Sequence, residues 1–570
     1  MRRRLIVLIL SAIALCSLSA QSGDWTDADA ALQYAEWARQ AIAENRWSEA
    51  LAGLERAMDY ADESSDIPYM LAIVYIHEKK SRFDAIELLD RAVDTKRFFF
   101  YSDKDALFQK ARQLCAIQQY SAALKIIETL PKNADSAALK LASLYGYMRD
   151  NPEQIQIPAL FRAGVLETMD RYPYDPRPFG IFFEYARNRN ILNKPAEGDM
   201  ELLQLVMRRL PFLLESDPEL AWQAALFTRD PEDARRLLSS YRAGSITKNK
   251  IENFKPHPAS VAAALNLGLI YDRDAADELF ESADRLVDKD ILIDVSNLLR
   301  SEDGRDYFSR KLMNFSGVIF SGKDDDGYAQ SKALYGEGII SQIEYDYKTT
   351  GLYDLKIDFD PGGNPVKAET RPSGGKKTAF VVWDRYPSVR QITFDSETFL
   401  FKPADFQFAP LTFTELAAIN GRSGILYPEP QYLTSELTRR SLVSFCASIK
   451  RPSVEFQDAE EEIFFSRGFP VLSVETRDGR QLSFTEYRNG VPVLQCLDFD
   501  HDGRMETLRT FRAPGPDFAE TFYLLDLIAS SESDWTGEGK YRTQEVYLPD
   551  GSVVFSLDID GSGVLSSLKE

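Results

Sequence analysis

The stretch 38-ARQAIAENRWSEALAGLERA-57 places small residues at Ala38, Ala50 and Ala57 and a larger one at Leu54. A small residue on each of two helices lets the helices cross closely, and the larger residue fills the gap beside them. The spacing recurs at Ile73, Ala85, Leu89 and Ala92; at Ala111, Ala123, Ile127 and Leu130; at Ala264, Ala276, Phe280 and Ala283; and, more weakly, at Trp222, Ala234, Leu238 and Tyr241. This recurrence predicts stacked helical hairpins from about residue 25 to residue 312.

An aromatic residue, Trp47 or Tyr120, stands three positions before the second small residue, and the first two copies of the pattern lie 35 residues apart. The pattern resembles the tetratricopeptide repeat, a family in which each repeat is about 34 residues long. The resemblance is good over residues 25–133 and looser over 134–312, where a general α-solenoid of helical hairpins is the alternative. The predicted fold class is therefore an N-terminal α-solenoid followed by a different C-terminal domain.

The resemblance implies a concave groove lined by the first helix of each hairpin, which would bind a protein or peptide partner. Six residues would face this groove by position: Leu32, Arg39, Met70, His77, Phe108 and Arg112. Met70 and Phe108 can equally belong to the core. None of the six indicates a catalytic reaction.

Residues 315–570 have the alternating pattern of β-strands, with Asp478-Gly479, Asn489-Gly490 and Asp550-Gly551 as hairpin turns. A helical insertion is predicted near 434–449. The pairs Asp358/Asp360, Asp498/Asp500 and Asp558/Asp560 each follow a predicted strand, at irregular spacing. We therefore expect an antiparallel β-repeat domain that forms a meander or an open barrel, and not a regular propeller.

The most specific motif is 498-DFDHDGRME-506, in which alternating aspartates precede a glycine and a glutamate. Calcium takes six to eight oxygen ligands, and side chains at alternate positions of a tight loop supply them. The expected ligands are Asp498, Asp500, Asp502, the carbonyl of Arg504, and Glu506. Position 12 is Arg509, so the motif is not an EF-hand and resembles the DxDxDGxxE loops of integrin-type β-propellers. The alternative is an acidic β-turn without an ion, which we prefer for the sister loops at Asp558, Asp358 and Asp324.

The composition excludes some classes of partner. The formal net charge is −21, with 88 acidic and 67 basic residues, and no basic stripe that would bind nucleic acid is visible in the sequence. Outside the N-terminal segment the cysteines are Cys115, Cys446 and Cys496. An odd number in a chain of this length is not a disulfide framework.

Residues 1–20 have a basic start, MRRR, then an apolar run and small residues, as in a signal peptide. We expect export to the periplasm or cell envelope of a bacterium and no transmembrane span in the mature chain. Cys16 offers a lipid anchor as an alternative to plain cleavage, although Leu15 stands where a lipoprotein signal needs a small residue.

Together these patterns predict an exported scaffold that binds proteins, is not an enzyme, and holds at most one calcium ion. The alternative from another class is an envelope enzyme acting on glycan or peptide, with a catalytic β domain. A deep pocket with convergent carboxylates would favour that alternative.

Overall fold

The computed structural model describes residues 27–60, 64–154, 156–245, 256–281, 285–324, 326–371, 378–417, 424–431, 437–512 and 527–567. The signal peptide predicted at 1–20, Cys16 and Ala283 lie outside these ranges. Within them, helices are too short or too polar to cross a membrane. The N-terminal part of the chain is built of helical hairpins and the C-terminal part of a large antiparallel sheet, which confirms the fold class expected from the sequence.

The chain divides into two compact units. The first comprises residues up to Glu278 together with 322–330 and 346–352, and the second comprises 279–321, 331–345 and 353–570. Secondary structure changes between Met313 and Gly317, close to the predicted change of period. The units divide earlier, between Glu278 and Leu279. The last helices before the sheet are therefore part of the second unit.

The helices are short and follow one another closely. Their bounds are α1 Asp27–Ala43, α2 Trp47–Tyr60, α3 Asp66–His77, α4 Arg82–Thr95, α5 Asp103–Ala116, α6 Tyr120–Ile127, α7 Ala134–Asp150, α8 Ile157–Arg171, α9 Arg177–Asn188, α10 Asp199–Arg209, α11 Glu219–Ala225, α12 Pro231–Arg242, α13 Ser260–Asn266, α14 Asp272–Phe280, α15 Lys289–Leu298, α16 Glu302–Met313 and α17 Arg439–Phe445. Side-chain caps set several of the starts: Ser102 and Asn133 each form a capping box with the residue three positions on.

The repeated small residues lie where the helices cross. Nine of them have no exposed surface: Ala38, Ala50, Ala57, Ala85, Ala92, Ala111, Ala123, Ala264 and Ala276. Leu54 and Leu89, the larger residues of the first two copies, are also fully buried. The alanine spacing therefore marks close contacts between helices of the first unit, as the sequence pattern predicts.

Replacing Ala50 by leucine is expected to lower the free energy of unfolding by about 1–3 kcal/mol, because the added carbons have no space at the crossing. Urea denaturation of the full chain measures the change. Ala52, an exposed residue of the same helix, provides the control, since Ala52→Leu should change stability by less than about 0.5 kcal/mol. Equal effects of the two substitutions would show that the repeat register is wrong.

The second unit is built on one long meander of strands. The strands are β1 Leu286–Asp288, β2 Gly317–Ser321, β3 Ser331–Gly336, β4 Ile339–Tyr345, β5 Leu355–Phe359, β6 Pro365–Thr370, β7 Ala379–Arg385, β8 Ser388–Phe394, β9 Glu397–Leu400, β10 Leu411–Leu416, β11 Ile425–Pro430, β12 Ser448–Pro452, β13 Glu460–Ser466, β14 Phe469–Arg477, β15 Arg480–Arg488, β16 Val491–Leu497, β17 Thr507–Phe511, β18 Ile528–Ser533, β19 Thr543–Tyr547, β20 Val553–Leu557 and β21 Ser566–Ser567. From β2 to β9, and again from β12 to β21, each strand pairs antiparallel with the next, and β12 continues the sheet by pairing with β9.

Two features of this sheet were not foreseen from the sequence. β1 precedes the predicted start of the β domain and pairs parallel with β2, Val287 lying opposite Ile319. β10 and β11 form a separate two-stranded hairpin. In strands such as β3 and β5 the alternation of buried and less buried residues agrees with the sequence pattern, every second side chain being buried. The predicted helical insertion corresponds to α17, Arg439–Phe445.

Candidate functional site

The acidic turn between β16 and β17 gathers four carboxylates. One oxygen each from Asp498, Asp500, Asp502 and Glu506 lie within 4.8 Å of one another. Asp498 follows the last residue of β16 and is buried, whereas Asp500 and Asp502 are exposed and Glu506 is half-buried. This cluster could hold a metal ion, since hard cations bind carboxylate oxygens.

Backbone donors hold the turn in its present shape. Gly503, at a φ of +94°, donates its N–H to Asp498 Oδ2 at 2.9 Å. Asp502 donates its N–H to Asp500 Oδ1 at 3.0 Å, and Phe499 donates its own to Glu506 Oε1. Asp498 Oδ1 and Glu506 Oε2 are buried atoms that accept no hydrogen bond. The cluster therefore contains two carboxylate oxygens without a donor.

Arg504, the fifth ligand expected from the sequence, binds elsewhere through its side chain. Its guanidinium donates to the carbonyl of Gly537 at 3.0 Å, and its backbone N–H donates to Asp502 Oδ1 at 2.7 Å. Coordination by its carbonyl stays a prediction.

The residues expected to line the groove of the helical unit divide into two groups. Leu32 is 37% exposed, and the side chains of Arg39 and His77 are 43% and 48% exposed. Met70 is fully buried in the core, which is the alternative that the sequence left open for it. Phe108 is partly buried and packs against the core that includes Ala111. His77 stacks on Trp47, with ring centroids 3.8 Å apart.

Arg112, the sixth of these residues, is engaged by a later segment of the first unit. Its side chain is 40% exposed and its guanidinium forms an ion pair with Asp326 of the segment 322–330. Asp324, for whose loop the sequence favoured an acidic turn without an ion, and its neighbour Asp326 both pair with arginines. This end of the predicted groove is therefore already in contact with the protein's own chain.

The centre of that contact is Arg82, a residue that sequence analysis did not single out. Its side chain has no exposed surface, and Nη2 lies 2.7 Å from Asp324 Oδ2 and 3.1 Å from Asp326 Oδ2. The guanidinium lies over the ring of Tyr328, with Cζ 4.0 Å from the centroid. A buried arginine pairs with carboxylates because an unpaired charge in the interior is strongly unfavourable.

The second segment, 346–352, completes the surroundings of Arg82. Thr349 Oγ1 accepts a hydrogen bond from Arg82 Nη1 at 3.3 Å, and the Thr350 carbonyl accepts the N–H of Arg82 at 2.7 Å. The Tyr328 hydroxyl donates to the Lys80 carbonyl at 2.9 Å, and burial raises the pKa of Tyr328 to about 12. Only the tertiary structure reveals this cluster, since Arg82 lies more than two hundred residues from Asp326 and Thr349 in the chain.

A second buried charge, Asp66, fixes the loop between α4 and α5. Its Oδ2 accepts the N–H of Phe99 at 2.6 Å, and its Oδ1 accepts those of Phe100 and Tyr101 at 3.2 and 3.0 Å. Asp66 has no exposed surface. The guanidinium of Arg39 lies 5.4 Å from the centroid of Phe100, which places a predicted groove residue beside this loop.

Phe99 itself points away from the core. It is 69% exposed, although Phe98 and Phe100 on either side pack against buried residues. A large aromatic side chain thus lies in solvent on a backbone that three hydrogen bonds hold in place. The sequence signal for this feature is the run RFFFY at 97–101. Four consecutive aromatic residues do not fit an alternation of apolar and polar side chains.

No protein-family model matches the sequence. An uncharacterized protein of Treponema pallidum (strain Nichols) is 21% identical over 591 aligned residues, which span 83% of this chain and 72% of that protein.

Three solved structures are similar to parts of the chain. MamA from residue 41 to its end, from Desulfovibrio magneticus RS-1, is 18% identical over 32% of this chain and 96% of its own, with a TM-score of 0.26. Pseudomonas aeruginosa PilF is 13% identical over 38% and 92%, with a TM-score of 0.26. The apo form of the quorum sensor NprR from B. thuringiensis is 15% identical over 54% and 82%, with a TM-score of 0.32. At these values the function has to be argued from the chain's own residues.

Proposed function

We propose that this protein is a scaffold without catalytic activity, which binds a protein or peptide partner through the N-terminal repeats of its helical unit. The observation that carries the proposal is the aromatic loop 98–101, where buried Asp66 fixes the backbone and Phe99 projects into solvent. An exposed aromatic side chain on an ordered loop, with an arginine beside it, is a combination that anchors many protein interfaces.

The loop has the physical properties of an interface anchor. Its backbone is already ordered, so little conformational entropy is lost when a partner covers Phe99. Arg39 lies beside it, and arginines with aromatic residues dominate the energetics of many protein interfaces. Arg39 is also paired with Glu36 at 2.8 Å, so a partner carboxylate would compete with Glu36 for the guanidinium.

Two other residues of the predicted groove offer a poorer binding surface. Arg112 is paired with Asp326, and Met70 is buried. We therefore assign the partner to the surface formed by Leu32, Arg39 and Phe99 and not to the whole groove.

A photo-crosslinking experiment in the native bacterium tests this assignment. Benzoylphenylalanine placed at residue 99 should crosslink one discrete partner. The same group at residue 212 should not, although Phe212 is 75% exposed in the same unit. With the crosslinker moved to residue 32, Phe99→Ala should reduce the yield of that partner, whereas Phe212→Ala should leave it unchanged. Equal crosslinking from residues 99 and 212 would argue against a defined surface.

The proposal also includes location. Residues 1–20 have the pattern of a signal peptide, and on that basis we place the mature protein in the periplasm or envelope of a bacterium. Mass spectrometry of the mature N-terminus distinguishes simple cleavage from lipidation at Cys16. Recovery of an unprocessed chain from the cytoplasm would contradict this part of the proposal.

For the second unit we infer one structural calcium ion in the turn 498–506. The four converging carboxylates support it, together with the buried oxygens of Asp498 and Glu506 that accept no hydrogen bond. The ion would neutralise the repulsion among these carboxylates and stabilise the fold. Isothermal titration calorimetry with calcium alone measures whether it binds.

A further inference from the structure

Within the residues that the structure describes, four turns share one construction, which we term Asp-headed turns: 346–351, 498–503, 534–539 and 558–563. In each, an aspartate directly after a strand is at least nine-tenths buried. The glycine five positions later has a positive φ and donates its N–H to the aspartate's carboxylate. Two of these, headed by Asp346 and Asp534, were not recognised in the sequence, because their second acidic position is missing.

In three of the turns both oxygens of the leading carboxylate accept hydrogen bonds within the turn. Asp346 Oδ1 accepts the N–H of Thr350 at 2.7 Å, and Asp558 Oδ1 accepts the N–H of Ser562 at 3.1 Å. Asp534 Oδ1 accepts the hydroxyl of Thr536 at 3.1 Å. Their second oxygens accept the glycine N–H at 2.6 to 2.9 Å. These turns are therefore complete without an ion.

The turn headed by Asp498 differs at one atom. Its Oδ2 accepts the glycine N–H as in the others, but Oδ1 accepts nothing, although the residue is only 2% exposed. In the turns headed by Asp346 and Asp558, the N–H four positions after the aspartate donates to Oδ1. The corresponding N–H here is that of Asp502, and it donates to Asp500 Oδ1 instead. Leaving a buried carboxylate oxygen without a donor is unfavourable.

The same turn carries the carboxylates that the Asp558 turn lacks. Asp502 stands where the other turn has Ser562, and Glu506 stands where it has Ser566. The missing donor and the added carboxylates occur together, and both changes favour a cation over a water molecule at Asp498 Oδ1. An all-oxygen site of carboxylates suits calcium better than magnesium, which needs closer and more regular ligands.

We propose that calcium binds Asp498 Oδ1, in the position that a hydrogen-bond donor occupies in the other three Asp-headed turns. The chain then binds one ion, and only at this turn. The inference rests on the structural calcium of the proposed function and adds which atom creates the site and why the sister turns lack it. Asp498, although the most buried of the four carboxylates, is then the residue on which binding depends.

Calcium titration of the full mature chain by calorimetry tests the inference, with circular dichroism to confirm folding. Asp498→Asn keeps an acceptor for Gly503 but replaces the unpartnered oxygen by an amide NH2, which cannot bind a cation. We expect one ion for the wild type and no binding to Asp498→Asn at millimolar calcium. Asp558→Asn, the same change in the sister turn, should still bind one ion with unchanged affinity.

A second variant, Asp502→Ser, separates this inference from the broader calcium proposal, because Asp502 is exposed and its replacement should not affect folding. If Asp502→Ser loses calcium while Asp498→Asn retains it, the turn binds calcium but the role of the buried oxygen is wrong. A wild type that binds no calcium would overturn both proposals. Binding of more than one ion, or its loss in Asp558→Asn, would overturn the selectivity among the turns.

Discussion

Replacing Arg82 by alanine is expected to destabilise the first unit by about 3–5 kcal/mol, the range seen when one partner of a buried ion pair is removed. The guanidinium is fully buried, pairs with Asp324 and Asp326, and covers the ring of Tyr328. Its loss leaves the mostly buried carboxylate of Asp324 without the Arg82 counter-charge, and leaves Asp326 paired with Arg112. Hydrogen exchange measured by mass spectrometry on peptides from α4 and α5 reports the free energy of opening in this unit.

The destabilisation should depend on pH in a defined direction. Burial raises the pKa of Asp324 even with Arg82 beside it. Without the guanidinium the pKa in the folded state would rise further, so the penalty exists above that pKa and decreases as the pH falls through it. The difference between Arg82→Ala and the wild type should therefore be smaller in mild acid than at neutral pH.

Arg112→Ala provides the matched control, because it removes an arginine that pairs with the same Asp326 but is 40% exposed. Solvent screens that pair, so its loss should cost less than about 1 kcal/mol. Equal effects of the two substitutions, or a loss under about 1 kcal/mol for Arg82→Ala, would mean that the buried cluster contributes little to the stability of the unit.

The sequence predicts the parts of the fold that depend on local periodicity. Ala50 and Ala123 are buried where two helices cross closely. Because a small residue is needed at each crossing, the same spacing of small residues recurs in the sequence and can be recognised there. The strands show their period of two in the same way. β1 is too short to show a period, and its parallel pairing with β2 depends on the intervening helices, so it could not be predicted.

The candidate sites, like the fold, could be predicted only where their residues lie close together in the sequence. The cluster of Asp498, Asp500 and Asp502 is local, and the structure brings these carboxylates together as the spacing predicts. Arg82 and Asp324 are far apart in the chain, and nothing in their neighbours distinguishes them from ordinary surface charges. Met70 was assigned to the groove by position in the repeat, but α3 is apolar along most of its length and buries more than one face. Side chains whose surroundings come from distant segments cannot be assigned by spacing alone.

Calcium is expected to raise the melting temperature of the second unit. A ligand that binds only the folded state stabilises it by mass action, by about 2.7 kcal/mol at a free concentration one hundred times Kd. In a domain of a few hundred residues this corresponds to an increase of several degrees. Differential scanning calorimetry of the full chain, in chelator and then in millimolar calcium, measures the shift, and magnesium at the same concentrations should give a smaller one.

Asp500→Ala should abolish this gain, because it removes one exposed ligand of the acidic turn. In chelator the same variant should melt at or slightly above the wild-type temperature, since one of several crowded negative charges is gone. Asp560→Ala, the equivalent change in the turn headed by Asp558, should leave the calcium-dependent increase intact. If the wild type shows no calcium-dependent shift, or if Asp500→Ala retains the full shift, the turn 498–506 is an acidic β-turn whose carboxylates are stabilised by backbone donors and solvent alone.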